Sequence, residues 1–328
     1  MVKELVLEGT ADYICDYTFN FYWHNNSLNP DSLIPGQNGG TFTYRNIVNE
    51  LKAGGDVRIT GNVGKNFAYS LGADIKHLGG SGEIEKAGRI FIDGNIGPEA
   101  GMGMVSGTLY VKGDIEYPLG NIVELISDVP EYRKFRSITD VLCNGSGSDE
   151  LIDNQLNEPE RTLILKDGIP RGTVASRCPC ASKVIIEGDA YNGTGMLARK
   201  ATVIVNGNAG MNTGSHLNGG TVVVHGEVGE FAGAYMKDGK LIFLDAKGFI
   251  GAGMQGGAIY SKNKAKTSPP AAKSRMKGED SSLVREFMDA GRVESMLYNK
   301  YEPDKEKEKY VEVRMRDGSI VMRKIDDS

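Results

Sequence analysis

Lys183-Val-Ile-Ile-Glu-Gly188, Thr202-Val-Ile-Val-Asn-Gly207 and Thr221-Val-Val-Val-His-Gly226 follow one another at intervals of 19 residues. A fourth run, Lys240-Leu-Ile-Phe-Leu244, keeps the interval but ends on Asp245 where the glycine would stand. Further glycines trail each run. Gly207, Gly210 and Gly214 read G-x-x-G-x-x-x-G, and Gly226, Gly229 and Gly233 repeat it. A fixed period of this length marks a solenoid, in which stacked units share one core.

The unit recurs toward the N-terminus as Asp56-Val-Arg-Ile-Thr-Gly61, Arg89-Ile-Phe-Ile-Asp-Gly94 and Thr108-Leu-Tyr-Val-Lys-Gly113. Gly94 and Gly113 are 19 apart, but Gly61 and Gly94 are 33 apart, so one unit carries about 14 extra residues near 73–87. Stacking the units produces columns. Four residues before the glycine stand Val57, Ile90, Leu109, Val184, Val203, Val222 and Leu241; two before it stand Ile59, Ile92, Val111, Ile186, Val205, Val224 and Phe243. Both columns are apolar and their neighbours are mostly polar, the alternation of a strand with one buried face. The column between them (Arg58, Phe91, Tyr110, Ile185, Ile204, Val223, Ile242) points outward yet turns apolar in the second half, which we read as a contact surface. The glycines suit corners that need positive φ or close approach between coils. The expected fold is mainly β: a right-handed parallel β-helix, a single-stranded solenoid of about seven coils over residues 55–260, interrupted by an insertion at 121–181.

The flanks read differently. Residues 1–54 form an N-terminal cap or arm. Tyr44 to Ala53 patterns as a short helix stopped by Gly54 and Gly55, and the aromatic run around Phe19, Phe21, Tyr22 and Trp23 is either a cap over the first coil or a partner-docking arm. Residues 261–328 form a tail: a linker over Lys262 to Lys277, a helix over about 282–298 that Gly291 weakens, the charge run Lys305 to Lys309, and a hairpin around Asp317-Gly318. In the insertion, Arg161 to Leu165 patterns as a strand or an irregular coil.

Glycine is 44 of 328 residues, about twice ordinary usage, and the excess lies in the repeats. A net charge of −5 and a pI near 5.6 do not suggest a nucleic-acid binder. The N-terminus has no apolar core of signal-peptide length and no apolar run approaches a membrane span, so a cytoplasmic protein without membrane or nucleic-acid partners is expected.

Chemistry-bearing motifs are sparse. No nucleophile elbow, Walker loop or H-E-x-x-H occurs. His24, His77, His216 and His225 have no ligand spacing. Cys178-Pro-Cys180 is the sharpest cluster, but metal sites generally use C-x-x-C pairs and four ligands, and Cys15 and Cys143 are distant in sequence. Four cysteines in a chain of this length do not make a disulfide framework. Small buried residues is the plainer reading of the cysteines, and neither catalytic, cofactor-binding nor metal-binding residues are expected.

The repeated glycine units, with Gly229-Glu-Phe-Ala-Gly-Ala-Tyr-Met-Lys-Asp-Gly239, resemble the GXGXG β-helix family. This family includes the C-terminal domain of the glutamate synthase large subunit and the β-helical subunit of formylmethanofuran dehydrogenase. The match covers roughly 43–120 and 181–300. Gly54-Gly-Asp-Val-Arg-Ile-Thr60 and Gly251-Ala-Gly-Met-Gln-Gly-Gly-Ala-Ile-Tyr260 look like the glutamate-synthase branch. The insertion and the terminal hairpin depart from both branches. The resemblance implies a scaffold that packs against catalytic subunits of a multi-subunit oxidoreductase and carries no cofactor itself. The alternatives are a one-carbon-metabolism scaffold of the formylmethanofuran dehydrogenase kind, or a small-ligand binding module.

Overall fold

Alternating apolar residues fix the rungs. The structure, a computed structural model, describes residues 3–18, 29–304, 311–314 and 320–323. Parallel rungs stack in two runs. The first is Lys3–Val6, Val57–Thr60, Arg89–Asp93 and Thr108–Val111. The second is Thr162–Leu165, Ser182–Ile186, Ala201–Val205, Asn218–Val228, Asp238–Ala246 and Ala258–Ser261. Register follows the sequence columns: Val184 faces Val203, Val203 faces Val222, and Val222 faces Leu241. These residues are buried, as are Val205, Val224 and Phe243.

The solenoid makes about nine turns, and its two runs hold ten parallel rungs where about seven coils were expected. The additional rungs are Lys3–Val6, Thr162–Leu165 and Ala258–Ser261. Their pairing puts Leu7, Asp167 and Asn263 where the other rungs are followed by the marker glycine, so the glycine period does not reveal them. The first rung therefore begins at Lys3, inside the segment expected to be an N-terminal cap or arm outside the solenoid.

Two devices tie one coil to the next beyond the rungs. After the marker, Val63, Ile96 and Ile115 bridge in parallel, as do Ala190, Ala209 and Val228. Between them runs an Asx ladder. Asp189 Oδ1 accepts the Asn208 N–H at 2.7 Å and Asn208 Oδ1 accepts the Glu227 N–H at 2.9 Å. These bonds pair backbone donors where the chain turns away from the rung sheet.

The insertion is built into the stack. Ile122–Leu125 and Arg133–Ser137 pair antiparallel, and the second edges the rung Thr108–Val111. Helix α1 (Tyr44–Lys52), capped by Thr43, buries Tyr44, Ile47, Val48 and Leu51 near the first rungs. Helix α2 (Ile138–Asn144) follows the hairpin. The buried Asn121 amide donates to Met104 O and to Thr139 Oγ1, both at 2.8 Å, while its Oδ1 accepts the Ala175 N–H at 2.8 Å. One side chain thus fastens the coil before the insertion, α2, and the coil after it. Arg171 and Asp167 form a buried ion pair, with Arg171 Nε donating to Ile122 O at 2.9 Å.

Beyond Tyr260 the chain is more ordered than a linker. Lys266–Thr267 and Ala271–Ser274 are strands, and Asn299–Pro303 closes the last edge by antiparallel pairing with Ala258–Ser261 and Ala271–Ser274. The expected helix divides into α3 (Gly278–Met288) and α4 (Arg292–Met296), with the break at Asp289 to Gly291. Val311–Arg314 and Ile320–Arg323 pair as the expected hairpin. The charge run, the turn Asp317-Gly318 and the aromatic segment with Phe19, Phe21, Tyr22, Trp23 and His24 lie outside the described residues. Among the described residues no helix is long and apolar enough to cross a membrane.

Candidate functional site

The outward rung column is not free. Val223, Ile242 and Tyr260 are buried with Val284 and Tyr298, and Leu283, Phe287 and Met288 pack against them. The helix α3 therefore covers the apolar part of the column from Ile204 to Tyr260, while Ile185 stays half-buried outside this cluster. In the first half, Phe91 stacks on Tyr110 at 4.8 Å and Tyr132 meets both edge-on. The stripe read as an intermolecular contact surface is covered by the chain itself, because the insertion and the tail fold back across it.

The exposed face lies on the opposite arc of each coil. Here the backbone enters the left-handed region at alternate positions: Gly193, Gly195 and Leu197; then Asn212, Gly214 and His216; then Phe231, Gly233 and Tyr235. Each first member donates its N–H to the next coil: Gly193 to Met211 O, Asn212 to Glu230 O, Phe231 to Phe249 O. The column extends back through Thr173, Glu99, Asn66 and Tyr13, all at positive φ. Left-handed non-glycine residues are uncommon, and a repeated set of them must be held by the hydrogen bonds between coils.

This arc changes character along the stack. Toward the N-terminal coils it holds a cavity of about 210 Å³ lined by Tyr13, Asn66, Glu99, Thr173, Asn192 and Asn212. Its groups are partnered. Thr173 Oγ1 accepts the Gly103 N–H at 2.8 Å and Tyr191 OH donates to Glu99 Oε1 at 3.4 Å. Burial, and then the Glu99 charge, push the Tyr191 hydroxyl above its usual range. The volume falls below the roughly 300–1,000 Å³ of ordinary ligand pockets. Toward the C-terminal coils the arc becomes aromatic. Phe231 and Phe249 are 42% and 52% exposed, and Tyr235, 54% exposed, stacks on His216 at 5.1 Å.

A second site lies where the insertion meets the later coils. Cys143, at the end of α2, forms a disulfide with Cys180, which sits just before the rung Ser182–Ile186. Cys178 remains a thiol, buried, with its Sγ 3.4 Å from Cys180 Sγ and 3.7 Å from Cys143 Sγ. Ser182 Oγ lies 3.4 Å from the same sulfur. Burial pushes the Cys178 thiol up, while the Ser182 hydroxyl, the Cys180 backbone and the Arg161 charge act against that rise. Cys15 is apart, buried in the N-terminal core, where burial drives its thiol far above the usual range. The cysteines are thus not merely small buried residues. Folding unites three of them across 37 positions of sequence, which C-x-C spacing alone does not reveal. His225 is half-buried within the rung Asn218–Val228, and His216 belongs to the aromatic arc.

No protein-family model matches the chain. An uncharacterised protein of Methanothermobacter thermautotrophicus is 40% identical over 204 residues, which make up 62% of this chain and 65% of that relative.

Proposed function

We propose that the chain is a non-catalytic scaffold subunit of a multi-subunit oxidoreductase of the glutamate-synthase-like kind. The carrying observation is the exposed aromatic end of the arc, Phe231, Phe249 and Tyr235 with Met211, mounted on stacked parallel rungs. Monomeric surfaces rarely gather large apolar side chains without a binding role. Aromatic anchors on a rigid frame also lose little side-chain freedom on docking. The resemblance of the glycine units to GXGXG β-helices supports the choice of assembly.

The test is purification of the tagged full-length chain from its native cells, followed by mass spectrometry of what accompanies it. Synthase or glutaminase subunits are expected, and replacing Phe231 and Tyr235 with serine is expected to release them. Molybdopterin or tungstopterin subunits would transfer the protein to the formylmethanofuran dehydrogenase branch. A chain that elutes as a lone monomer at every salt concentration would sink the scaffold reading.

A further inference from the structure

We propose that Cys143, Cys178 and Cys180 form a binding site for one soft, thiophilic cation of the Zn²⁺ class when the Cys143–Cys180 bond is reduced. A tie between α2 and the coil corner needs two cysteines, yet a third sulfur lies within 3.7 Å of both. Thiolates bind Zn²⁺ at about 2.3 Å, so two sulfurs on a tetrahedral ion stand about 3.8 Å apart. The Cys143–Cys178 and Cys178–Cys180 separations, 3.7 and 3.4 Å, are already near that spacing. Only the bonded edge must open.

The surroundings fit the chemistry. Pro179 restricts the backbone between Cys178 and Cys180, limiting how far the two sulfurs can drift. Cys178 packs in the core, whereas Cys143 and Cys180 are partly exposed and give the ion a path from solvent. Ser182 Oγ, which donates to Cys180 O at 3.3 Å, stands 3.4 Å from Cys178 Sγ and can turn its hydroxyl to a thiolate there, and water can supply the fourth ligand that catalytic zinc sites leave open. An all-sulfur donor set selects soft cations over Mg²⁺ or Ca²⁺. The steps balance. A dithiol reductant delivers two electrons and two protons, yielding Cys143 and Cys180 thiols and leaving the reductant as its disulfide. The cation then displaces three thiol protons to solvent.

The experiment uses the full-length chain, reduced and stripped with a chelator, and titrated with Cd²⁺ as the probe. One Cd²⁺ per chain is expected, with thiolate-to-cadmium charge-transfer absorption of a three-sulfur site, and Zn²⁺ is expected to compete. The oxidised chain is expected not to bind. Serine at Cys143, Cys178 or Cys180 should weaken binding at least about tenfold, since even outer-shell changes cost that much. Cys15→Ser should leave it unchanged. If a serine variant does not fold, protection is read on the wild type instead: Zn²⁺ should slow alkylation of these three cysteines and not of Cys15. No uptake by the reduced folded chain, a Cys178→Ser variant equal to wild type, or alkylation unaffected by Zn²⁺ would each overturn the proposal.

Discussion

At Gly207, an added Cβ would stand 2.7 Å from the Gly188 carbonyl oxygen, and at Gly226 it would stand 2.6 Å from the Gly207 oxygen. Neither glycine has positive φ. Close approach between coils, rather than a left-handed backbone, is what these marker positions require. The Asp189 and Asn208 side-chain oxygens are nearer still and can swing aside, but the backbone of the preceding coil cannot. Gly207→Ala is therefore expected to cost about 1–3 kcal/mol, as overpacking does. Chemical denaturation reads this directly, and an unchanged midpoint would mean that the coils can part without penalty. Two residues before Gly207, Val205 is fully buried. Val205→Asp places an unpaired charge in the core, at a cost of several kcal/mol, and should abolish folding or soluble expression. A folded variant with the parental melting temperature would refute the inward assignment.

The helix α3 is held at a buried polar contact. Tyr260 OH donates to Asp280 Oδ1 at 2.7 Å, and Lys300 Nζ lies 3.0 Å from the same oxygen. Burial alone would raise the Asp280 carboxyl. Hydrogen bonds from Tyr260, the Lys277 N–H and Lys300, with the Lys300 charge, outweigh burial and hold it below the usual range. A carboxyl depressed in the folded state contributes stability above its unfolded value, near 3.9, and loses it as pH falls through the folded value. Stability should therefore be level above about pH 5 and decline below about pH 4, and Asp280→Asn should flatten that decline. Asp280→Ala leaves the Lys300 ammonium buried without this partner and is expected to cost about 3–5 kcal/mol. It should also loosen α3, so hydrogen exchange at Val223 and Ile242 should accelerate. Exchange identical to wild type would show that apolar packing alone holds the helix.

Across the whole molecule, two apolar clusters meet at the insertion. Ile122 belongs to the N-terminal cluster, and Val123 and Leu125 to the C-terminal one. Nearest-neighbour stacking makes a solenoid cooperative only where adjacent coils couple. Here the coupling runs through the insertion and the Asn121 amide, and through direct bonds between the flanking coils such as Gly172 N–H to Leu119 O and Gly103 N–H to Thr173 Oγ1. Asn121→Ala strands the buried Ala175 N–H, a penalty of about 1–3 kcal/mol, and removes the bond to Thr139. Calorimetry should then resolve two unfolding transitions, or a calorimetric enthalpy above the van't Hoff value. A single sharp transition at the parental temperature would show that the apolar contacts and the direct coil-to-coil bonds couple the halves without Asn121.

The 19-residue period and the alternation within it determined the rungs, their register and the inward columns, because strand pairing repeats locally and each coil meets only its neighbours. Helix α1 and the terminal hairpin were legible for the same reason: their signals lie within a few residues. The rungs at Lys3–Val6 and Ala258–Ser261 were not recognised, and Thr162–Leu165 stayed open between a strand and an irregular coil, since their place depends on partners elsewhere. The covered outer column could not be read from Ile204, Val223 and Ile242, because exposure is settled by where α3 returns. The aromatic arc was hidden likewise: Phe231 and Tyr235 sit in a glycine-rich unit, and only the left-handed backbone at alternate positions turns them to one surface. The three-cysteine cluster depended on tertiary structure most of all. C-x-C supplied two sulfurs, and the third came from a helix 35 residues before Cys178, brought there by the packing of the insertion against the coils.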